Sequence, residues 1–174
     1  MESQVLPAAL QPLVDRLMAL DRPASLSELR LWLAEPDISR EDLEPFVHFD
    51  EFCYARNPVV ASHHFELLCI CWKAGQSSLI HDHVGSACGV RVVLGELTET
   101  IFHVVGNGRA RPGMVNNYRA GFVCSSFDRD VHQITNHQAD GSELITLHIY
   151  SPPLAVMNSY TQSECAEDRN SALA

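Results

Sequence analysis

The residues of greatest chemical reach in this chain are His81, His83 and His132. His81-Asp82-His83 sets two imidazoles one residue apart. On extended backbone alternate side chains share a face, so both rings can address one point. Neutral imidazole is a common ligand for first-row divalent metals. A His-x-His is weak evidence by itself in a chain with nine histidines, where a surface or polar-core pair is the bland alternative. The wider spacing strengthens it. Five residues separate Gly75 from the pair, four separate the pair from Cys88, and six separate Cys88 from Gly95. A second block runs Gly121, Phe127-Asp128-Arg129, His132 and Asn136. Three imidazoles on one side of an ion leave its other positions open to small reactants. Zinc suits three histidines as well as iron does, so the ligands alone do not name the metal.

Extended chain has to hold these residues. Apolar or alternating runs at 65–72, 89–94, 97–105, 131–135 and 144–150 read as strands. Gly95-Glu96, Gly106-Asn107-Gly108 and Asp140-Gly141 supply turns between them. Many short strands with turns at close intervals predict a sandwich or barrel. The first fifty residues read as helical. Leu10, Leu13, Val14 and Leu17 recur at helical spacing, and Ser25-Leu26-Ser27-Glu28 is a capping box whose helix Pro36 ends. Ser39-Arg40-Glu41-Asp42 resembles another helix start, limited by Pro45. The expected organisation is one domain over 1–174: a helical segment 1–50, a β-barrel 51–155 and a C-terminal tail 156–174, polar and loosely ordered after Tyr160.

At 174 residues the chain is long enough for one substantial core. The net charge of −10 argues against nucleic acid or an anionic membrane as partner, while leaving room for a small anionic substrate at a buried arginine. No apolar run is long enough to span a membrane. Met1-Glu2-Ser3-Gln4 lacks a cationic start, and Pro7 and Pro12 break the next stretch, so no signal peptide and a cytoplasmic location are expected. The cysteines are Cys53, Cys69, Cys71, Cys88, Cys124 and Cys165. None forms a C-x-x-C pair, and the expectation is buried reduced thiols, Cys88 apart. Trp72 reads as core, Glu96 and Glu99 as solvent-facing. His48, His63, His64, His103 and His137 read as surface or structural residues.

The glycine and histidine spacing resembles the two sequence motifs of the cupin superfamily. Phe127 and Arg129 stand where the second motif usually has Pro and Gly, and Cys88 where many cupins place a carboxylate ligand. The resemblance implies a mainly β fold: a cupin-type small β-barrel, or jelly roll, behind an N-terminal helical segment. Over about residues 45 to 155 the chain is similar, more specifically, to the cysteine dioxygenase family of thiol dioxygenases. The blocks that carry this are Cys53-Tyr54-Ala55-Arg56-Asn57, Leu68-Cys69-Ile70-Cys71-Trp72, Ser77-Ser78-Leu79-Ile80-His81-Asp82-His83, Cys88, Gly95-Glu96-Leu97-Thr98-Glu99-Thr100, Val131-His132 and Leu147-His148-Ile149-Tyr150-Ser151-Pro152-Pro153.

That resemblance implies one Fe(II) per chain on His81, His83 and His132, with L-cysteine and O2 as reactants and a monomeric state. It implies that Arg56 pairs with the substrate carboxylate, a role suited to a guanidinium fork; from composition alone Arg56 would be a surface charge. Tyr54 would help line the pocket. Thr146, His148 and Tyr150 alternate with Ile145, Leu147 and Ile149, so one face of that strand is polar and the other apolar. In the family the polar set is a relay ending at the tyrosine hydroxyl, with Ser in the place of Thr146. Cys88 and Tyr150 match a pair that forms a cysteine–tyrosine thioether in some members, whereas many bacterial relatives carry glycine at the cysteine position. Gly89 follows where animal members often have a bulkier residue, so local packing is expected to differ. Competing readings are a dioxygenase of 3-mercaptopropionate or another small thiol, a non-catalytic metal-binding cupin acting as a sensor, and a zinc or manganese cupin isomerase or hydrolase. Arg56 favours cysteine among the thiols, and the last reading needs a general base that the motif lacks.

Overall fold

A computed structural model of the chain describes residues 6–127 and 130–163. The N-terminal part is helical, as its periodicity predicts. A 3-10 turn at Ala8–Leu10 leads into α1, Gln11–Met18, which buries Leu13, Val14 and Leu17. α2, Leu26–Ala34, starts at Ser25 with both arms of the capping box made and ends before Pro36. The second helix start gives a 3-10 helix, Glu41–Phe46. Ser39 and Asp42 cap each other there, and Pro45 sits inside the helix rather than ending it.

The rest is β-structure: β1 Ala55–Ala61, β2 Glu66–Trp72, β3 Ile80–His81, β4 Ala87–Leu94, β5 Glu96–Gly106, β6 Arg109–Arg119, β7 Val123–Phe127, β8 His132–Thr135, β9 Leu144–Ser151 and β10 Ser159–Gln162. One five-stranded sheet has the order β1-β2-β9-β4-β7; the other strands close into a barrel in the order β10-β3-β8-β5-β6. β10 corrects an expectation. The tail is expected to be loosely ordered after Tyr160, yet Thr161 and Gln162 continue a strand, Ser159–Gln162, that pairs antiparallel with β3 and parallel with β6, closing the second sheet. β1, β3, β6 and β7 also lie outside the runs that read as strands.

β9 sits centrally between β2 and β4, and all eight of its residues are buried. Ile145, Leu147 and Ile149 pack with the helical segment. Tyr150 turns the other way, into a cluster with Leu68, Ile70, Trp72, Cys88 and Val90. The two-faced character of the strand thus separates a mostly apolar core under the helices from a barrel interior that holds polar side chains. At Gly89, facing α2, a Cβ would stand 2.9 Å from Leu33 Cδ1 and 3.0 Å from Leu29 Cβ. The glycine is what lets α2 lie directly on β4. Buried Arg91, two residues on, donates to the carbonyls of Leu33 and Pro36 at the end of α2, where the helix dipole favours a cation. Gly95 turns β4 into β5 at φ +83, and a Cβ there would meet Glu143 O at 2.4 Å. Asn136 is fully buried. Its amide donates to Trp72 O and Ser142 O, both at 3.0 Å, tying the end of β2 to the approach to β9.

Among the described residues no helix is long and apolar enough to cross a membrane. Cys69, Cys71 and Cys88 are buried free thiols. Cys124 is half-buried and Cys53 exposed, against the expectation that these too would be core; Cys165 lies outside the described residues. Cys53 closes an Asp50-centred turn, donating its backbone N–H to Asp50, which explains its exposure.

Candidate metal centre and substrate pocket

His81 and His132 are direct cross-strand partners of β3 and β8, and His83 lies two residues beyond the end of β3. All three are buried, with ligand nitrogens within 4.8 Å of one another. Among the described residues they form the one such His, Cys or carboxylate cluster. β3 is only two residues long, shorter than the alternation argument assumed, but both rings still converge, with centroids 5.2 Å apart.

The hydrogen bonds fix which nitrogens remain free. His81 Nδ1 donates to Leu79 O at 2.8 Å, and His132 Nδ1 donates to Glu99 Oε1 at 2.7 Å. Each therefore presents an Nε2 lone pair to the common point. His83 Nε2 stands 3.2 Å from His132 Nε2, and His83 Nδ1 is buried without a partner. Metal–nitrogen bonds of about 2.1 Å meeting at tetrahedral to octahedral angles put donor atoms about 3.0–3.4 Å apart. The observed separation matches, so the trio fits a divalent ion. Burial, then the neighbouring His132, lowers the pKa of His81 to about 4 and of His83 to about 3, which keeps both neutral and able to ligate at neutral pH.

Glu99 is the residue that sequence reasoning misplaced. It was expected to face solvent, yet its side chain is only 14% exposed and its carboxylate orients the His132 ring. The available signal was alternation with Leu97, which is buried on the same face of β5. Glu96 behaves as expected, pairing with Arg119 on the surface at 2.9 Å.

Asp82, between the two histidines, faces the other way. It accepts from Asn158 N at 3.0 Å, Asn158 Nδ2 at 2.9 Å and the Tyr160 hydroxyl at 2.9 Å. Burial works to raise its pKa, but these hydrogen bonds outweigh it and hold the carboxyl below its ordinary value. The segment from Leu154 to Met157 is thereby strapped across the mouth of the site.

Beside the histidines lies a narrow pocket, lined among others by Tyr54, Arg56, Trp72, His81, His148 and Tyr150. Tyr54 and Arg56 also line an outer recess with Leu154 and Met157, so they stand where the pocket opens. Tyr54 stacks on Trp72 with ring centroids 4.3 Å apart. The Arg56 guanidinium lies 5.4 Å from the centre of the Tyr150 ring, a cation–π distance, and Glu66 is 3.6 Å away.

The polar face of β9 forms a chain. Trp72 Nε1, which can only donate, gives its proton to Thr146 Oγ1 at 3.1 Å. Thr146 Oγ1 is 2.9 Å from His148 Nε2, and His148 Nδ1 is 3.4 Å from the Tyr150 hydroxyl. The competing acceptor for the Thr146 proton, Ile70 O, is farther away at 3.4 Å. The shorter contact favours donation to His148 Nε2, which leaves the proton on Nδ1 facing Tyr150 and makes the Tyr150 hydroxyl a donor, shared between the Cys88 sulfur and the pocket. Burial, then the positive charge of Arg56, holds the pKa of His148 well below its ordinary value, and burial raises that of Tyr150. Trp72 is core, as expected, and also anchors this chain. Cys88 is the direct cross-strand partner of Tyr150 on β4 and β9. Burial, then the Cys124 thiol, push its pKa well up against the pull of a Tyr150 hydrogen bond. His48, His63, His64, His103 and His137 are exposed or half-buried, and none joins the metal cluster.

Comparison with known proteins gives a concordant result. The family described as cysteine dioxygenase type I matches residues 24–163. The chain is 26% identical over 165 residues to cysteine dioxygenase type 1 of Danio rerio, covering 90% of this chain and 81% of that protein. It is 28% identical over 123 residues to the Homo sapiens protein of the same name, covering 67% of this chain and 60% of that one. Among solved structures, a Klebsiella pneumoniae protein with a double-stranded β-helix domain superposes with a TM-score of 0.57 at 19% identity, over 68% of this chain and 88% of its own. A Thermus thermophilus protein gives 0.54 at 19% identity, over 67% and 99%. These two likenesses concern the fold alone.

Proposed function

This chain belongs to the cysteine dioxygenase type I family of the cupin superfamily, and on that premise we propose that it is a non-haem Fe(II) thiol dioxygenase converting L-cysteine and O2 to cysteine sulfinate. The observation that carries this reading is the pocket that sets Arg56 and Tyr150 beside His81, one member of the three-histidine cluster. The reaction balances without an external reductant. The thiol sulfur gains both oxygen atoms and supplies the electrons, and its proton is released.

His81, His83 and His132 hold one iron per chain. When bound, the iron supplies the one-electron chemistry that lets O2 react with a thiolate. The protein's part is placement. Arg56, steadied over the Tyr150 ring, takes the substrate carboxylate through paired N–H donors. That fixes the distance from carboxylate to sulfur and directs the thiolate toward the histidines. Tyr54, stacked on Trp72, closes one wall. Tyr150, with Trp72, Thr146 and His148 behind it, presents a hydroxyl donor to negative charge that develops at the sulfur and oxygen. Iron rather than zinc is the reading because zinc has no redox chemistry to offer this substrate pair.

The pairing of Cys88 with Tyr150 supports a thioether between them in part or all of the molecules. Its formation breaks the Cys88 S–H and one Tyr150 ring C–H bond, and O2 takes up the two hydrogens as H2O2. Peptide mass analysis after turnover tests it; two unmodified side chains in every molecule would refute it.

The test of the function is anaerobic iron loading followed by O2 and a panel of thiols. The expected result is O2 uptake with cysteine and a product that has gained two oxygen atoms. A large preference in kcat/KM for 3-mercaptopropionate would reassign the substrate. No uptake with any thiol would favour a metal-binding sensor.

A further inference from the structure

We propose that Glu66 is a built-in competitor for the Arg56 guanidinium, setting how tightly the pocket holds carboxylates and helping the more anionic product to leave. The inference rests on the reading that Arg56 takes the substrate carboxylate.

Strand alternation places Glu66 on the face of β2 that carries Leu68, Ile70 and Trp72 into the barrel interior. Its ladder partner is Tyr150, which lines the pocket. Glu66 Oε1 is 3.6 Å from Arg56 Nη2 and accepts the Leu154 N–H at 3.0 Å. The side chains are 20% and 36% exposed respectively, so the pair is partly desolvated.

The two anchors of Arg56 differ in kind. The Tyr150 ring face holds the guanidinium in place and uses none of its N–H groups. Glu66 occupies the charge that an incoming carboxylate needs. At 3.6 Å the contact is longer than a hydrogen bond, so it is loose and replaceable. The oxygen is satisfied by Leu154 N whether or not Arg56 turns away. A substrate carboxylate can therefore displace Glu66 from Arg56 without leaving a buried orphan.

The reaction gives this arrangement a use. A thiol arrives neutral at sulfur and departs as a sulfinate, while the carboxylate is unchanged. The product thus carries one more negative charge than the substrate. A pocket mouth bearing Arg56 alone would hold product more tightly than substrate. Glu66 brings the mouth close to neutral and offsets that bias. Leu154 begins the segment across the mouth, so the same carboxylate touches both the anion receptor and its cover.

The test uses the iron-loaded full chain and its E66Q and E66D variants, with melting curves to verify folding. E66Q keeps an oxygen for Leu154 N and removes the charge. Its inhibition constant for cysteine sulfinate is expected to fall about fivefold, the upper end for a partly exposed ion pair. The KM for cysteine falls with it. The KM for cysteamine, a thiol without a carboxylate, does not fall. A merely structural role for Glu66 would move both thiols the same way. E66D draws the charge back by one methylene, and its inhibition constant falls about twofold; this arm stands alone if E66Q does not fold. An unchanged or raised inhibition constant in either folded variant overturns the proposal. A wild-type chain that oxidises no thiol refutes the proposed function itself, whereas cysteine oxidation with unaltered E66Q inhibition refutes only the role of Glu66.

Discussion

Replacing Glu99 by Gln probes the metal centre without touching a ligand. The Glu99 carboxylate accepts from His132 Nδ1 at 2.7 Å, with the two side chains 14% and 3% exposed. A hydrogen bond to a charged group contributes about 1.5–3 kcal/mol and a neutral one about 0.5–1.5 kcal/mol. Gln keeps an acceptor oxygen, so E99Q loses the difference, about 1–2 kcal/mol, or about 5- to 30-fold in metal affinity. Glu99→Ala loses the acceptor as well and also frees the ring to rotate, for which about 10- to 100-fold is expected. Anaerobic competition titration against a chromophoric chelator, with Fe(II) and separately with Zn(II), reads both values. E96Q is the control, because Glu96 pairs with Arg119 on the surface and has no contact with the cluster. The reasoning fails if E99Q and Glu99→Ala bind metal within twofold of the wild type, or if E96Q weakens binding as much as E99Q does.

Three further outcomes follow from the packing and the buried charges. Gly89→Val forces side-chain atoms into the space occupied by Leu29 and Leu33. It should cost about 1–3 kcal/mol in urea unfolding, and an unchanged midpoint would mean that α2 does not rest on β4 as described. Asp82→Ala leaves Asn158 N, Asn158 Nδ2 and Tyr160 without their shared acceptor. A loss of about 2–4 kcal/mol is expected, with faster hydrogen exchange localised to Ser159–Gln162; equal exchange there would refute the strap. His148→Gln tests the neutral buried imidazole. Burial, then Arg56, depresses the folded-state pKa of His148, so below about pH 6.5 the unfolded chain takes up a proton that the folded chain does not. Stability therefore falls as pH falls, by up to about 1.4 kcal/mol per pH unit from this group. In chelator-treated protein the variant's stability curve between pH 6.5 and 5 should be flatter by that slope, and parallel curves would refute the assignment.

The histidine cluster was legible because its cause is local. His81 and His83 are two residues apart in one short segment, and His132 stands in a short run that pairs with His81. The polar face of β9 was legible for the same reason: alternation within one strand announces a two-faced environment. Other features depend on partners far along the chain. β6 shows little alternation because most of its residues are exposed, and Pro112 and Gly113 sit at the register shift opposite Thr100 and Phe102. Such residues read as loop, although they mark a bulge on a strand held by β5. β10 is four residues long, and its cause is tertiary: pairing with β3 and β6, and hydrogen bonds from Asn158 and Tyr160 to Asp82. No period of 2 over so short a polar stretch could announce it.

Charge is where sequence and structure meet most usefully. The cupin-like spacing put Cys88 where a carboxylate ligand is common, which left three neutral imidazoles facing a divalent ion. The structure supplies an anion after all, from β5 and one bond removed. Glu99 touches His132 rather than the metal position. A carboxylate in the ligand shell would neutralise charge and fill a coordination position at once. Behind a histidine it supplies negative charge and leaves that position open. Glu66 applies the same arrangement at the other end of the pocket, behind Arg56, the group proposed to receive the substrate. Each acid sits one step behind a group assigned to binding, where it adjusts affinity without occupying the site. Cys88, relieved of ligation, is free to lie against Tyr150 in the barrel interior. The position that lacks the usual cupin carboxylate is thus the one that would leave room for two reactants beside a bound ion.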